Sequence, residues 1–371
     1  MAIDYNLLRV GIELRAIADN YRLLRSKGTR LIPVIKADAY GHGLVAVARA
    51  LESCGADFFA VGTVEEAARL CPSVSGTVLA LLGPQLSEDF QTVAEQGILP
   101  LVSRMDQLAK LQEQAAFKDV RLPVALKFDT GMARLGFAPE ESPKVLEALR
   151  QCDRLTLQWL ISHLATADDP NQAAFVQEQS GRFQEVHAAF KRAGHSPLSS
   201  LANSAGLLAF PDLAWDRQRP GIALYGANPF HGTRLEHLGL GLKPAMKVQA
   251  PVVAVHPLRK GVSISYGRTY VADQDKTVAI VAAGYADNYS RSLSNKGCML
   301  VRGKRASVLG RICMQLTAVD VTDIPGVVPG DPAFLLGGEG DQSIRPEELA
   351  AWWGTIPYEV FCLLGMNRRD A

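Results

Sequence analysis

The sequence predicts an α/β protein, an N-terminal (β/α)8 TIM-like barrel followed by a C-terminal mostly-β domain. Two observations predict it. Between about residue 30 and residue 225, eight short apolar runs alternate with longer helix-patterned segments. Near-continuous apolar strands separated by helices are what a parallel sheet buried on both faces requires. After about residue 240 the helical period gives way to short strands punctuated by Gly, Pro and Asp, the grammar of an all-β unit.

The eight runs are 31–36 (LIPVIK), 57–61 (DFFAV), 77–82 (TVLALL), 98–102 (ILPLV), 122–128 (LPVALKF), 157–162 (LQWLIS), 198–202 (LSSLA) and 221–225 (GIALY). Amphipathic segments such as VEEAARL from Val64, and the spacing around 144–150, supply the intervening helices. Eight evenly spaced units within about 200 residues favour a closed barrel over a doubly wound open sheet. In the second part, 248–255, 277–281, 307–309, 317–321 and 333–336 read as strands, and a helical period returns only at 346–353. The Gly- and His-rich stretch 228–242 is the natural connector. The expected domains are therefore 1–235 and 236–371.

At 371 residues the chain is long for one domain. Hydrophobic residues at 48% and charged residues at 21% describe a globular chain able to bury a large core. A net charge of +1 argues against a nucleic-acid or anionic-membrane partner. The opening MAIDYNLLRVGIELRAI has no leader-like pattern, and no apolar run approaches the roughly 20 residues of a membrane span. The six cysteines are scattered without C-x-x-C or zinc-like spacing. A cytoplasmic enzyme without a metal is expected.

Polar residues collect at the carboxyl ends of the predicted strands, where barrels carry their active sites. The first run ends in Lys36, the fifth leads through Lys127 and Asp129 to Arg134, and the sixth ends at His163. The seventh leads to Asn203 and Ser204, and Arg219 precedes the eighth. Desolvation at a strand end favours the neutral, nucleophilic amine of Lys36, as Schiff-base chemistry needs. A snorkelling lysine is the ordinary alternative. Gly41 and Gly43 permit close backbone approach to a ligand. Arg219-Pro-Gly-Ile and Asn203-Ser204, on neighbouring strands, together point to an anion site. His163 taken alone reads as a structural histidine. Lys127, a cation inside an apolar strand, needs a partner or a modification. Arg134 offers a fork for a carboxylate, with a surface ion pair as the alternative.

The motifs VIKADAYGHG (34–43), LKFDTGMARLGF (126–137), SHLATADD (162–169), ANSAG (202–206), RPGIALYG (219–226), SYGRTYVA (265–272), GYADNYSR (284–291), GRICM (310–314) and PYEV (357–360) follow one another along the whole chain. In their order and spacing the sequence resembles the alanine racemase family. The resemblance implies a homodimer whose active sites combine residues of both subunits, with pyridoxal 5'-phosphate as cofactor and a small amino acid as substrate. It implies that Lys36 holds the cofactor and is the base on one face of the substrate, and that Tyr266 is the opposite base, reaching in from the other subunit. Tyr40, Ser204, Gly221, Ile222 and Tyr358 are implied to hold the phosphate, with Asn203 beside them. Arg219 is implied to face the pyridine nitrogen, and His163 to pack on the ring and bridge Arg219 to Tyr266. Arg134 and Met314 are implied to contact the substrate carboxylate, and Lys127 matches a position carbamylated in many members. Tyr285 and Tyr358 are implied to narrow the entrance, with Asp168, Arg291, Arg311 and Ile356 further out.

Racemisation removes the Cα proton on one face and returns one on the other, so two bases flanking a planar intermediate suit it. Tyrosine is a weak base near neutrality, and a cationic Arg219–His163 chain is the expected means of assisting it. One departure stands out: Gln315 follows GRICM where the family usually has Asp. Gln keeps a hydrogen-bonding oxygen and drops the charge, which leaves a broader-specificity racemase as an alternative. A barrel-type decarboxylase shares the cofactor, but Tyr266 in SYG favours a racemase. A non-catalytic cofactor carrier would lack the β domain.

Overall fold

The structure, a computed structural model, describes residues 6–27, 30–339 and 342–369. Residues 1–5, within the opening stretch from which no leader is expected, lie outside the described residues. After a first strand, β1 (Arg9–Ile12), come β2 (Arg30–Leu31), β3 (Phe58–Val61), β4 (Thr77–Ala80), β5 (Leu99–Val102), β6 (Leu122–Lys127), β7 (Leu155–Ile161), β8 (Leu198–Ser200) and β9 (Arg217–Gln218). Strands β3 to β8 pair in order, all parallel, and β2 pairs in parallel with β9. Two links close these pieces into a barrel. Val34 bridges Ala60, with Ile35 N donating to Ala60 O at 2.8 Å, and Arg219 N donates to Ala202 O at 2.9 Å. The predicted barrel is present.

Strands such as β3 and β5 form where expected because their residues are apolar on both faces: every residue of each is buried. The helices between them present one apolar stripe. Val64–Leu70 buries Val64, Ala67 and Leu70, and Ser142–Arg150 buries Val145, Leu146 and Leu149. The first of these starts in a capping box, with Thr63 Oγ1 accepting from Glu66 N at 3.1 Å while Glu66 reaches back to the cap.

The eighth run is a correction. The segment 221–225 is not a strand; Ile222–Tyr225 forms a 3-10 turn, and the eighth barrel strand is the two-residue β9 before it. Pro220 has no N–H for a strand ladder, and Gly221 (φ −122°, ψ −86°) takes the chain out of the extended region. The run is apolar because it is buried: Ile222, Ala223, Leu224 and Tyr225 are all in the core. Arg219 therefore follows its strand rather than preceding it, and sits on the carboxyl rim with the other polar residues.

The second part contains β10 (Met246–Leu258), β11 (Ser263–Ile264), β12 (Tyr270–Val271), β13 (Lys276–Val281), β14 (Cys298–Val301), β15 (Lys304–Ser307), β16 (Thr317–Asp320) and β17 (Pro332–Leu336). Its main sheet has the order β15-β14-β17-β10-β13-β16. Leu258, Ala272, Val278, Leu309 and Ala318 form a core cluster within it. β1 belongs here rather than to the barrel, pairing antiparallel with β10 from Arg9↔Gln249 to Ile12↔Met246. The chain accordingly divides into one unit of Ile17–Ala39 and Gly43–Lys243, and another of Met1–Ala16, Tyr40–His42 and Pro244–Ala371. The predicted helix at 346–353 is Pro346–Trp353, and a second, unpredicted helix spans Pro357–Leu364. Among the described residues no helix is long and apolar enough to cross a membrane, and no group of three His, Cys, Asp or Glu is arranged to hold a metal ion.

Within the second unit Gly41 and Gly365 meet backbone to backbone: a Cβ on Gly365 would lie 2.3 Å from Gly41 O and 2.5 Å from its Cα. Gly365 has an ordinary helical φ of −66°, so steric overlap alone sets the effect of a side chain there. Gly365→Ala is expected to lower stability by about 1–3 kcal/mol, measured by urea unfolding.

Candidate functional site

In the barrel unit, hydrogen bonding carries the first strand through Ile35, and Lys36 follows at the rim. The sequence places Lys36 at a strand end; the structure adds a turn of unusual hand after it. Ala37, Asp38 and Ala39 have φ/ψ of 52°/53°, 53°/45° and 56°/49°, and Tyr40 has φ 53°. This is left-handed helical backbone, which costs about 1–2 kcal/mol per L-residue. Such a run persists only where its surroundings over-determine it. Here Ala39 N donates to Ile35 O (2.9 Å), Gly43 N to Asp38 O (2.9 Å), and Leu44 N to Asp38 Oδ1 (2.8 Å). Sequence reasoning missed this turn; its one signal was the small residues and glycines of ADAYGHG.

Arg219 is 4% exposed. Its guanidinium donates to Ser200 Oγ, to the carbonyls of Ser162 and Leu201, and toward His163 Nδ1 at 3.4 Å. Burial pulls its pKa down to about 9, so it remains protonated at neutral pH. His163 is pushed well below the usual histidine value, first by burial and then by Arg219, Lys127, Arg134 and Lys36. That direction favours the neutral imidazole, so the positive charge of the expected Arg219–His163 chain rests on Arg219. Arginine only donates, so His163 Nδ1 accepts and the ring proton sits on Nε2.

Ser204 Oγ accepts from Gly221 N at 2.9 Å and Ala223 N at 3.3 Å, which leaves its O–H to donate to an anion. Asn203 serves differently from its neighbour. Its Oδ1 accepts from Gly206 N at 3.0 Å and caps Ser204–Ala209, while its amide donates to Leu164 O at 3.3 Å. Ile222 begins the buried 3-10 turn after Gly221. A hydroxyl donor, turn amides and a buried cation suit a phosphorylated ligand carrying a polar aromatic ring, so these residues fit the implied cofactor.

Lys127 ends β6, 7% exposed, with Nζ donating to Phe128 O at 3.1 Å. Burial, with help from Arg219 and Arg134 and against Asp129, pulls its pKa down to about 7. Asp129 organises the loop beyond, accepting from the backbone N–H groups of Gly131 (2.8 Å), Met132 (2.8 Å) and Arg134 (2.9 Å). Arg134 is exposed at the end of that loop. Gln179, fully buried, holds the His163 segment from both sides, donating to His163 O (3.1 Å) and accepting from Ala165 N (2.8 Å). It was missed because a buried glutamine in an amphipathic helix has no sequence signature. Asp168 lines a depression with Asp169, Thr233 and Arg234.

The second unit brings together another set. Tyr40 is buried with its ring 5.9 Å from that of Tyr358, and burial, then Tyr358 and Cys362, push its hydroxyl well above the usual tyrosine value. Tyr266 is 67% exposed, on a 3-10 turn. Together with Tyr285, Arg291, Ile312 and Met314 it lines an open cavity. Tyr285 N and Ala286 N donate to Cys313 O (3.1 Å) and Met314 O (2.8 Å), which registers the Tyr285 segment against Met314. Arg311 packs by Gly267, where a Cβ would lie 3.0 Å from its guanidinium, and Ile356 is exposed at the start of Pro357–Leu364. Asp287, missed by sequence reasoning, accepts from Gly284 N and Asn6 Nδ2 and so anchors the Tyr285 segment internally.

Comparison with known proteins shows the family of both parts of the chain. Residues 12–229 match the family model described as alanine racemase, N-terminal domain, and residues 245–370 match its C-terminal domain counterpart. An alanine racemase of Nitratidesulfovibrio vulgaris (strain DSM 19637 / Miyazaki F) is 53% identical, covering 100% of this chain and 99% of that protein. The alanine racemase from Streptomyces coelicolor A3(2) superposes with a TM-score of 0.91 at 32% identity, over 98% of this chain and 97% of that one. The alanine racemase from Bartonella henselae, solved with covalently bound pyridoxal phosphate, superposes with a TM-score of 0.86 at 31% identity, over 98% and 99%. With both domains matched and relatives similar along its full length, the chain belongs to the alanine racemase family.

Proposed function

We propose that the protein is a pyridoxal-phosphate-dependent alanine racemase that acts by a two-base mechanism as a cytoplasmic homodimer. The observation that carries this reading is the rim constellation itself: Lys36 on a constrained turn, and a buried Arg219 with His163 Nδ1 beside its guanidinium. The cofactor supplies the electron sink that makes a Cα proton of an amino acid removable. Lys36 would hold the cofactor and serve as the base on one face of the substrate. Tyr266 of the partner subunit would be the base on the other, a use supported by the exposure of that phenol in the single chain.

Ser204, Gly221, Ile222, Tyr40 and Tyr358 hold the phosphate, with Asn203 fixing the start of the Ser204 helix. Arg219, still protonated, would face the ring nitrogen of the bound cofactor, and His163 would donate from Nε2 toward the partner's phenol. Arg134 and the backbone of Met314 orient the substrate carboxylate. Tyr285 and Tyr358 narrow the entrance, with Asp168, Arg291, Arg311 and Ile356 beyond them. The Lys127 amine, with a pKa of about 7, is half neutral at neutral pH. It can add to carbon dioxide, losing one proton and becoming a carbamate anion that pairs with Arg134.

Purified holoenzyme incubated with a panel of L-amino acids and read out by chirality tests the reaction. Alanine converted far ahead of serine and the rest supports the reading. Comparable rates across the panel point to a broader racemase, and release of carbon dioxide refutes racemisation. Tyr266→Phe is expected to lose about 10²–10⁴-fold in rate; near-normal rates in both directions would remove Tyr266 as second base. Lys127 provides a pH test of stability. Its folded pKa lies below the unfolded value, so its burial destabilises fully below pH 7, and that cost fades as pH rises toward the unfolded lysine value. In buffer free of carbon dioxide, Lys127→Met should be more stable than the unchanged chain at pH 6.5, with a smaller gain at pH 9.5 by urea unfolding.

A further inference from the structure

Glu66 lies one strand over from Lys36, and the proposed function gives it no role. Its carboxylate faces two ways. Oε2 accepts from Gly62 N at 2.7 Å and from Thr63 N at 3.4 Å, the ordinary work of a capping glutamate. Oε1 reaches in the other direction and accepts from Asp38 N at 3.3 Å, in the middle of the left-handed turn. Gly62 is confined between the two ends of this link: a Cβ there would lie 3.0 Å from Glu66 Oε2 and 3.6 Å from Lys36 Cβ. Asp38, thus gripped through its backbone N–H, in turn accepts from Leu44 N through Oδ1 and from Gly43 N through its carbonyl.

A run of left-handed L-residues relaxes unless it is held, and any relaxation between Ala37 and Ala39 swings the Cα–Cβ direction of Lys36 at its start. We propose that Glu66 is a positioning residue for Lys36. It ties the strained turn to the end of β3, and so fixes where the lysine amine meets the cofactor. This rests on the Lys36 reading given above. The rival explanation is that Glu66 only caps the helix Val64–Leu70. The two separate because Thr63→Ala removes the cap bond to Glu66 N and leaves the Asp38 link intact.

The test uses the full chain stripped of cofactor and titrated with pyridoxal 5'-phosphate, then reduced with borohydride so that covalent label on Lys36 is counted by mass spectrometry. Glu66→Ala is expected to weaken cofactor binding about tenfold to a hundredfold and to lower labelling at Lys36, the scale on which a displaced reactive group loses effect. Thr63→Ala should lower the unfolding temperature and keep the unchanged chain's affinity. Adding Ala37→Gly to Glu66→Ala should recover most of the lost affinity, because glycine enters the left-handed region freely. Glu66→Gln keeps one acceptor oxygen; it should fall between the unchanged chain and the alanine variant, and serves where the latter fails to fold. Equal affinity for Glu66→Ala and the unchanged chain overturns the proposal. So does Thr63→Ala reproducing the loss, or glycine failing to restore binding. An unchanged chain that takes no label at Lys36 overturns the Lys36 reading itself.

Discussion

A single buried guanidinium governs the barrel's rim. Arg219 is held by neutral groups, Ser200 Oγ, the Ser162 and Leu201 carbonyls and His163 Nδ1, so its charge is solvated without being cancelled. Its field then acts on its neighbours. It adds to burial in lowering the pKa of His163, and in bringing that of Lys127 down to about 7. Its position depends on the backbone chemistry of the two residues that follow it. Pro220 stops the last strand and Gly221 turns the chain inward, which leaves Arg219 as the first residue past the strand, at the end of the barrel where polar groups can converge.

The barrel was legible because burial on both faces writes an apolar run for each strand, and the same runs located the rim residues that follow them. The run 221–225 misled for the same reason: a buried 3-10 turn and a buried strand share one composition, and only Pro220 and Gly221 distinguish them. β1 was not legible at all. RVGI has four residues and a partner, Gln249 to Met246, more than two hundred positions away, so no local period could reveal it. The left-handed turn after Lys36 escaped for a different reason, since torsion angles of alanine and aspartate leave no trace in hydrophobic pattern. Lys36 could be picked out as a strand-end lysine, while its direction could not.

In the second unit both ends of the described chain converge on the segment that carries Tyr285. Asn6 donates to Asp287 Oδ1 and to Asn367 Oδ1, and Asn367 donates to the Asp287 carbonyl. Asp287 also accepts from Gly284 N, and the adjacent N–H groups of Tyr285 and Ala286 bond to Cys313 and Met314. A fully buried carboxylate is costly unless bonded on every side, so this cluster holds its geometry strongly. Its effect is to make the spacing between Tyr285 and Met314 a property of the fold rather than of loop conformation.

The approach of Arg219 to His163 Nδ1 constrains how proton traffic could run at the proposed site. Because Arg219 can only donate, protonating His163 Nδ1 would set two donors face to face, so that nitrogen is closed as a proton acceptor. The remaining proton, on Nε2, can be offered outward as a hydrogen bond, and giving it up would leave an imidazolate, which neutral water does not support. In the function proposed above, His163 would stabilise a deprotonated partner without carrying a proton through itself. A residue that could shuttle protons between the two faces of a substrate would let one base serve both. A histidine fixed as a donor would keep the two faces separate, as the proposed mechanism with one base on each side requires.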